Sequence, residues 1–286
     1  MKPLLLIFLA TISFYSQAAE DRWAKIEIKV IPVTDTIYML EGAGGNIGVS
    51  YGASGMLMID DQFEPLAGKI KAALKTIGDE APTYLLNTHY HGDHTGGNGQ
   101  FGSNSIIMAH QNVRVRLLDG DTQSNYPAQA LPVITYSENA SLYFNGEEIH
   151  MTHTPSGHTD GDSMVHFKTS NVVHMGDNFF NGRFPYVDRG AGGSVQGLIS
   201  SVESMLTLMD DKTRVIPGHG SLGNMADLKD YLDMLKATSD AVKLMIADGK
   251  SEQTILDTGF DEKWDSWGTG FINQERWIKT LYATYQ

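Results

Sequence analysis

Residues His89-Tyr90-His91-Gly92-Asp93-His94 put three imidazoles and a carboxylate into six positions. The apolar Tyr84-Leu85-Leu86 precedes them, and Thr95-Gly96-Gly97-Asn98-Gly99 follows. A strand running into a glycine-rich loop with alternating donors sets several ligands on one side of a small cation. Neutral imidazole and carboxylate are ligands that zinc accepts, at about 2.0–2.2 Å. The fold has to bring more to this stretch. A zinc held by His89 and His91 needs a third protein ligand if one position is to stay open for catalysis. The chain has no cysteine, which removes thiolate both as ligand and as nucleophile. Any metal is held by nitrogen and oxygen alone.

Three later segments end an apolar strand in a polar, glycine-bounded turn with one ligand-type side chain. They are Pro155-Ser156-Gly157-His158-Thr159, Met175-Gly176-Asp177 and Pro217-Gly218-His219-Gly220. Asp60 likewise ends the apolar run from Gly55 to Ile59, where a helix-capping role is the competing reading. The remaining histidines, His110, His150, His153, His166 and His174, stand in strand or helix contexts without such a motif and read as structural.

The chain has 286 residues, 41% hydrophobic and 19% charged, which describes a globular protein able to bury a large core. Its formal net charge of -13 disfavours a nucleic-acid partner, because an acidic surface repels phosphate backbones. At the N-terminus Lys2 precedes the run Leu4 to Ala10, and small or polar residues follow to Ala19. This is the three-part pattern of a secretory signal peptide over residues 1–18, with cleavage after Ala18. The apolar run is too short for a span of about 20 residues. The expectation is an exported chain, periplasmic or secreted, with no membrane span after cleavage and residues 19–286 as one catalytic domain.

Periodicity predicts an extended Trp23–Val33, then strands at 36–40, 46–50 and 55–59, and a helix from Pro65 to Ile77. Strands follow at 83–88 and 105–109, with His110 opening a helix to Leu118. Asp119–Pro132 lacks an apolar period and reads as an irregular loop. Asn145-Gly146 marks a hairpin between Leu142–Phe144 and Glu148–His153. Strands at 164–168, 172–175 and 213–216 come next, with Ser194 capping a helix to Met209. The remainder is helical at 225–247, 252–257 and 273–285. Trp264, Trp267 and Phe271 read as an anchor onto the body of the fold, and Gly192-Gly193-Ser194 as a plain loop.

An HxHxDH stretch, then Gly-His, Gly-Asp and Gly-His in this order, resembles the motif series of the metallo-β-lactamase superfamily, and Asp60 resembles its first motif. The resemblance covers most of the chain after the leader. It implies an α+β fold, a four-layer αβ/βα sandwich with two central mixed sheets and helices on the outer faces. It further implies that His89, His91 and His158 hold one metal, that Asp93, His94 and His219 hold a second, and that Asp177 bridges them. Two cations about 3.5–4 Å apart call for a carboxylate and a hydroxide between them. Two Zn2+ are expected, with iron possible. Asp60 would orient a ligand from behind.

The substrate does not follow from the family. Exported β-lactamases that resemble this chain carry cysteine or serine where Asp177 stands, whereas Gly176-Asp177 resembles the glyoxalase II, lactonase and phosphodiesterase branches. The favoured reading is a zinc hydrolase of a small ester, lactone or thioester, with Asp93 and Asp177 catalytic and Tyr186 a candidate donor to the carbonyl oxygen. No evident basic set for glutathione is present. One alternative is a β-lactamase of weak activity. Another is a mononuclear iron persulfide dioxygenase using His89, His158 and Asp177. A silent binding protein is the third.

Overall fold

The computed structural model describes residues 22–120 and 126–286. The expected leader at 1–18 and the centre of the 119–132 loop lie outside the described residues. Two mixed sheets form the middle of the fold. The first contains β1 (Lys29–Pro32), β2 (Ile37–Glu41), β3 (Ile47–Gly52), β4 (Gly55–Ile59), β5 (Pro82–Asn87), β6 (Ile106–His110) and β7 (Ile134–Tyr136), neighbours in chain order. The second contains β8 (Asn139–Phe144), β9 (Glu147–His153), β10 (Ser163–Phe167), β11 (Val172–His174), β12 (Arg214–Ile216) and β13 (Gly223–Asn224), in the order β13-β12-β11-β10-β9-β8.

Side-chain alternation makes the layers. Met39, Leu57, Ile59, Leu86 and Met108 of the first sheet meet Ile149, Met151, Val165, Phe167 and Ile216 of the second in one buried cluster. Their sequence neighbours Leu40, Met56, Met58, Leu85 and Ile107 point the other way, onto Ile70 and Leu74 of α1 (Ala67–Leu74). Successive strand side chains face opposite sides of a sheet, so a run apolar at every position is covered on both. The second sheet's outer face carries α5 (Val195–Leu208), α6 (Met225–Ala247) and α8 (Gln274–Tyr285), reached after α2 (Gly92–Thr95), α3 (Asn98–Phe101) and α4 (Gln111–Asp119), with α7 (Glu252–Thr258) beside α8. Each fully buried aliphatic side chain contributes about 1.5–3 kcal/mol. An exposed ion pair such as Lys29–Glu41 contributes about 0–1 kcal/mol, so the apolar seam dominates in joining the sheets.

Most predicted elements are present, and the differences are local. Within Trp23–Val33 only Lys29–Pro32 is strand, and 22–24 form a helical turn. Lys69 Nζ donates to the carbonyls of Trp23, Ala24 and Ile26, which satisfies the end of that turn and overrides the alternation. The 119–132 loop contains a 3-10 turn at Ala128–Ala130. The short β7 and β13, and a 3-10 stretch at Glu262–Thr269, carry no periodic pattern that sequence reading detects. Asn145 and Gly146, at φ 53° and 77°, make the expected tight hairpin of β8 and β9.

Two parallel pairs position the site. β4 runs parallel to β5 across α1, and β11 runs parallel to β12 across α5. Ligands in open sheets collect beyond the carboxyl ends of parallel strands. Asp60, His89, Asp177 and His219 all lie just past those four ends.

Candidate metal centre

The structure brings all seven expected ligands together. Three trios have ligand atoms within 4.8 Å of one another: His89, His91 and His158; His89, His94 and Asp177; and Asp93, His94 and His219. His91 directly precedes α2, a single turn that carries Asp93 and His94. His158 lies in the turn after β9, and Asp177 in a 3-10 turn after β11. His219 follows β12 and pairs with Phe180 through a backbone bridge. Asp177 stands between the two sets. Its Oδ1 is 3.0 Å from His94 Nε2, and its Oδ2 is 3.3 Å from His219 Nε2 and 3.4 Å from His158 Nε2.

Hydrogen bonds behind the rings fix which nitrogen faces inward. His94 Nδ1–H donates to Asp60 Oδ2 at 2.7 Å. His91 Nε2–H donates to Asp188 Oδ2 at 2.9 Å, and His158 Nδ1–H donates to the Tyr186 carbonyl at 2.7 Å. The Thr88 hydroxyl gives its single proton to Asp60, so at 3.1 Å it accepts from His89 Nδ1–H. Each ring thereby turns its other nitrogen into the centre.

The donor set fits a metal. His89 Nε2 is buried with no hydrogen-bond partner, and the buried His94 Nε2 and Asp177 Oδ1 meet no hydrogen-bond partner beyond each other, at 3.0 Å. Orphaned buried polar atoms are costly, and ones that converge call for a shared cation. His91 Nδ1 and His158 Nε2 lie 2.8 Å apart, where two neutral lone pairs repel unless a cation sits beside them. Burial lowers the His158 pKa to about 4 and pushes that of His89 well down, so both present the neutral form a metal binds. Burial opposes charge on His94 too, but Asp177, Asp93 and Asp60 outweigh it and raise its pKa well above the imidazole range. For Asp177 burial is likewise outweighed, by the four histidines around it, and the carboxylate stays ionised.

Asp60 is fully buried at the end of β4, with φ 60°. It accepts from Thr88 N–H, the Thr88 hydroxyl and His94, and it caps no helix. Glycine is required where the backbone touches this set. A Cβ at Gly45 would collide with the His94 imidazole, and one at Gly218 with Asp177 Oδ1. Asn46 Nδ2 donates to the carbonyls of Pro217 and Gly220, tying the His219 loop to the first sheet.

The centre opens into a cleft of about 720 Å³. Tyr186 lines it, its ring 5.9 Å from that of His91. Phe271 lines it as well and is 75% exposed, which corrects its assignment as an anchor. Trp264 and Trp267 do pack on the core beneath the second sheet. Basic residues reach the cleft too, namely Arg22 and Arg183, from segments without a motif. Two positioning groups escaped the sequence reading. Thr88 directly precedes the cluster and could have been noticed there, whereas Asp188 sits in an aperiodic loop and carried no signal. His110 caps α4 as expected, accepting from Asn112 N–H.

The model of the Metallo-beta-lactamase superfamily matches residues 52–219, more than half the chain, and spans every residue of the two ligand sets. The chain is 27% identical over 177 residues to a probable metallo-hydrolase, YqgX, of Bacillus subtilis, covering 57% of this chain and 82% of that one. It is 27% identical over 184 residues to a hydroxyacylglutathione hydrolase of Polaromonas, covering 63% and 65%. Among solved structures, a metallo-beta-lactamase from Pontibacter korlensis aligns with a TM-score of 0.64 at 14% identity, over 73% of this chain and 99% of that one. A sec-alkylsulfatase from Pseudomonas aligns at 0.70 and 14% identity, over 90% of this chain and 50% of its own length. With a matching family model, a four-layer sandwich and seven convergent donors, this chain belongs to the metallo-beta-lactamase superfamily.

Proposed function

We propose that the protein is an exported dinuclear zinc hydrolase of small carbonyl substrates, an ester, lactone or thioester. The observation that carries this reading is Asp177, placed between two ligand trios and within 3.4 Å of His94, His158 and His219. The likeness to a hydroxyacylglutathione hydrolase supports an acyl substrate. Export rests on the Lys2 and Leu4–Ala10 pattern alone.

Bound ions would supply Lewis acidity and lower the pKa of a water toward about 7, so that a nucleophile exists at neutral pH. His89, His91 and His158 would hold one ion and Asp93, His94 and His219 the other, with Asp177 a ligand shared by the two sets. Asp60 keeps His94 in the tautomer that points Nε2 inward. Asp93 is 25% exposed on its side chain where Asp177 is 5%, so Asp93 is the carboxylate open to the cleft. It takes the proton of the attacking water and delivers it to the leaving group. Burial, with Asp188 adding to it, raises the Tyr186 pKa, so its hydroxyl stays protonated and donates to the substrate carbonyl oxygen.

Metal analysis of protein purified without added metal tests the assignment, with about two zinc ions per chain expected. Asp177→Ala should lose one of them, and ester turnover should drop by about a hundredfold or more. Full stoichiometry and turnover in that variant would remove the bridge from the mechanism. A single iron with oxygen consumption would point to the dioxygenase instead.

A further inference from the structure

We infer that the cleft mouth selects an acyl substrate carrying an anionic group, gripped by Arg22 and Arg183 over an aromatic platform. This deepens the hydrolase reading and rests on it. Among the described residues, the charged side chains lining the cleft, histidines aside, are Arg22, Arg183, Asp93 and Asp177. Both carboxylates belong to the ligand sets, where metal charge would cancel theirs. The charge left over from the described residues at the mouth is positive, on a chain whose net charge is -13. A cleft of one sign on a surface of the other draws in and orients an anion.

Arg22 is held at that mouth by a built latch. Lys69 Nζ donates to three carbonyls of the segment, at 2.9, 2.7 and 2.6 Å. Trp23 packs on the cleft residue Phe63 with ring centroids 5.1 Å apart, and the Arg22 guanidinium lies 4.5 Å above the Trp23 ring. The segment before the first strand therefore belongs to the substrate site. Arg183 stands on the loop after Asp177, its stem close to Gly270. Phe271 is held from outside by Arg276, which donates to its carbonyl at 3.0 Å and lies 5.0 Å above its ring. Its ring meets Tyr186 edge-on at 6.2 Å. A phenylalanine this exposed yet fixed in place adds nothing to the core. It offers an apolar face to an acyl chain, while guanidinium groups favour planar anions such as carboxylate.

The test compares two esters with the same leaving group on the zinc-loaded protein: para-nitrophenyl pentanoate, which is neutral, and mono-para-nitrophenyl glutarate, which ends in a carboxylate. We expect kcat/KM for the glutarate to exceed that for the pentanoate by about tenfold at low ionic strength, mostly through KM, and the ratio to shrink as salt screens the arginines. Arg22→Ala and Arg183→Ala should each lower the ratio, and Lys69→Met should act like Arg22→Ala by releasing the latch. A ratio near one in the native enzyme, or one that survives in the double arginine variant, overturns the assignment and leaves the hydrolase reading standing. Hydrolysis of neither ester would sink both.

Discussion

Each metal-facing imidazole on the first sheet's side of the cleft is braced by an oxygen: Thr88 behind His89, Asp188 behind His91 and Asp60 behind His94. Such braces fix the tautomer and raise ligand basicity, and losing one typically costs 10–100-fold in metal affinity or activity by the general rule, an order of magnitude. Asp188 braces two rings, because it also accepts from the Tyr90 hydroxyl at 2.8 Å. The His91 contact is the largest cause holding the Asp188 carboxyl far below the usual range. Asp188→Ala should weaken zinc binding by about ten- to a hundredfold in a chelator competition. Native affinity in that variant would mean His91 is held without it. At this scale the sequence was partly legible. The ligands stand beside glycines in short motifs, whereas the braces come from anywhere the fold can bring an oxygen.

At the scale of elements, the helices were read more closely than the short strands. α6 begins at Met225 as expected, because Asn224 caps it: Asn224 Oδ1 accepts from Ala226 N–H at 2.7 Å, and Asp227 Oδ2 accepts from Asn224 N–H at 2.9 Å. Its buried face, with Leu228, Leu232, Leu235 and Val242, packs on the second sheet's outer layer. Asn224→Ala should cost about 1 kcal/mol and lower the Tm by about 2–4 °C, with the metal centre unaffected. An unchanged Tm would show that packing alone sets where α6 starts. β7 pairs with β6 over three residues and β13 with β12 over two, pairings too short to leave a periodic signature. The turn at 22–24 is held by Lys69, more than forty residues away, and no local rule could anticipate it.

At the scale of the molecule, buried histidines outside the metal centre tie parts together. His174 Nε2–H on β11 donates to the Asn46 carbonyl beside β3, which links the two sheets, while its Nδ1 accepts from Gly176 N–H. His110 Nε2–H donates to Ser137, and its ring stacks on His153 at 3.7 Å. Burial lowers the pKa of both, so the unfolded chain binds protons that the folded chain refuses. Their contribution to stability is therefore full above about pH 6.5 and is lost as pH falls below that unfolded value toward the folded ones. The Tm of the native protein should fall between about pH 7 and pH 5, and by less in His110→Gln. An equal fall in both would take His110 out of the account. By itself the sequence pointed out the candidate ligand residues, the layered alternation and the metallo-hydrolase family, because these rest on local spacing and side-chain chemistry. Only the tertiary structure decided the rest: that all seven candidate donors converge, which oxygens brace them, and that Arg22 and Phe271 stand at the mouth of the cleft. Those contacts join segments distant in sequence. They exist only once the two sheets have stacked and set the ends of their parallel strands side by side.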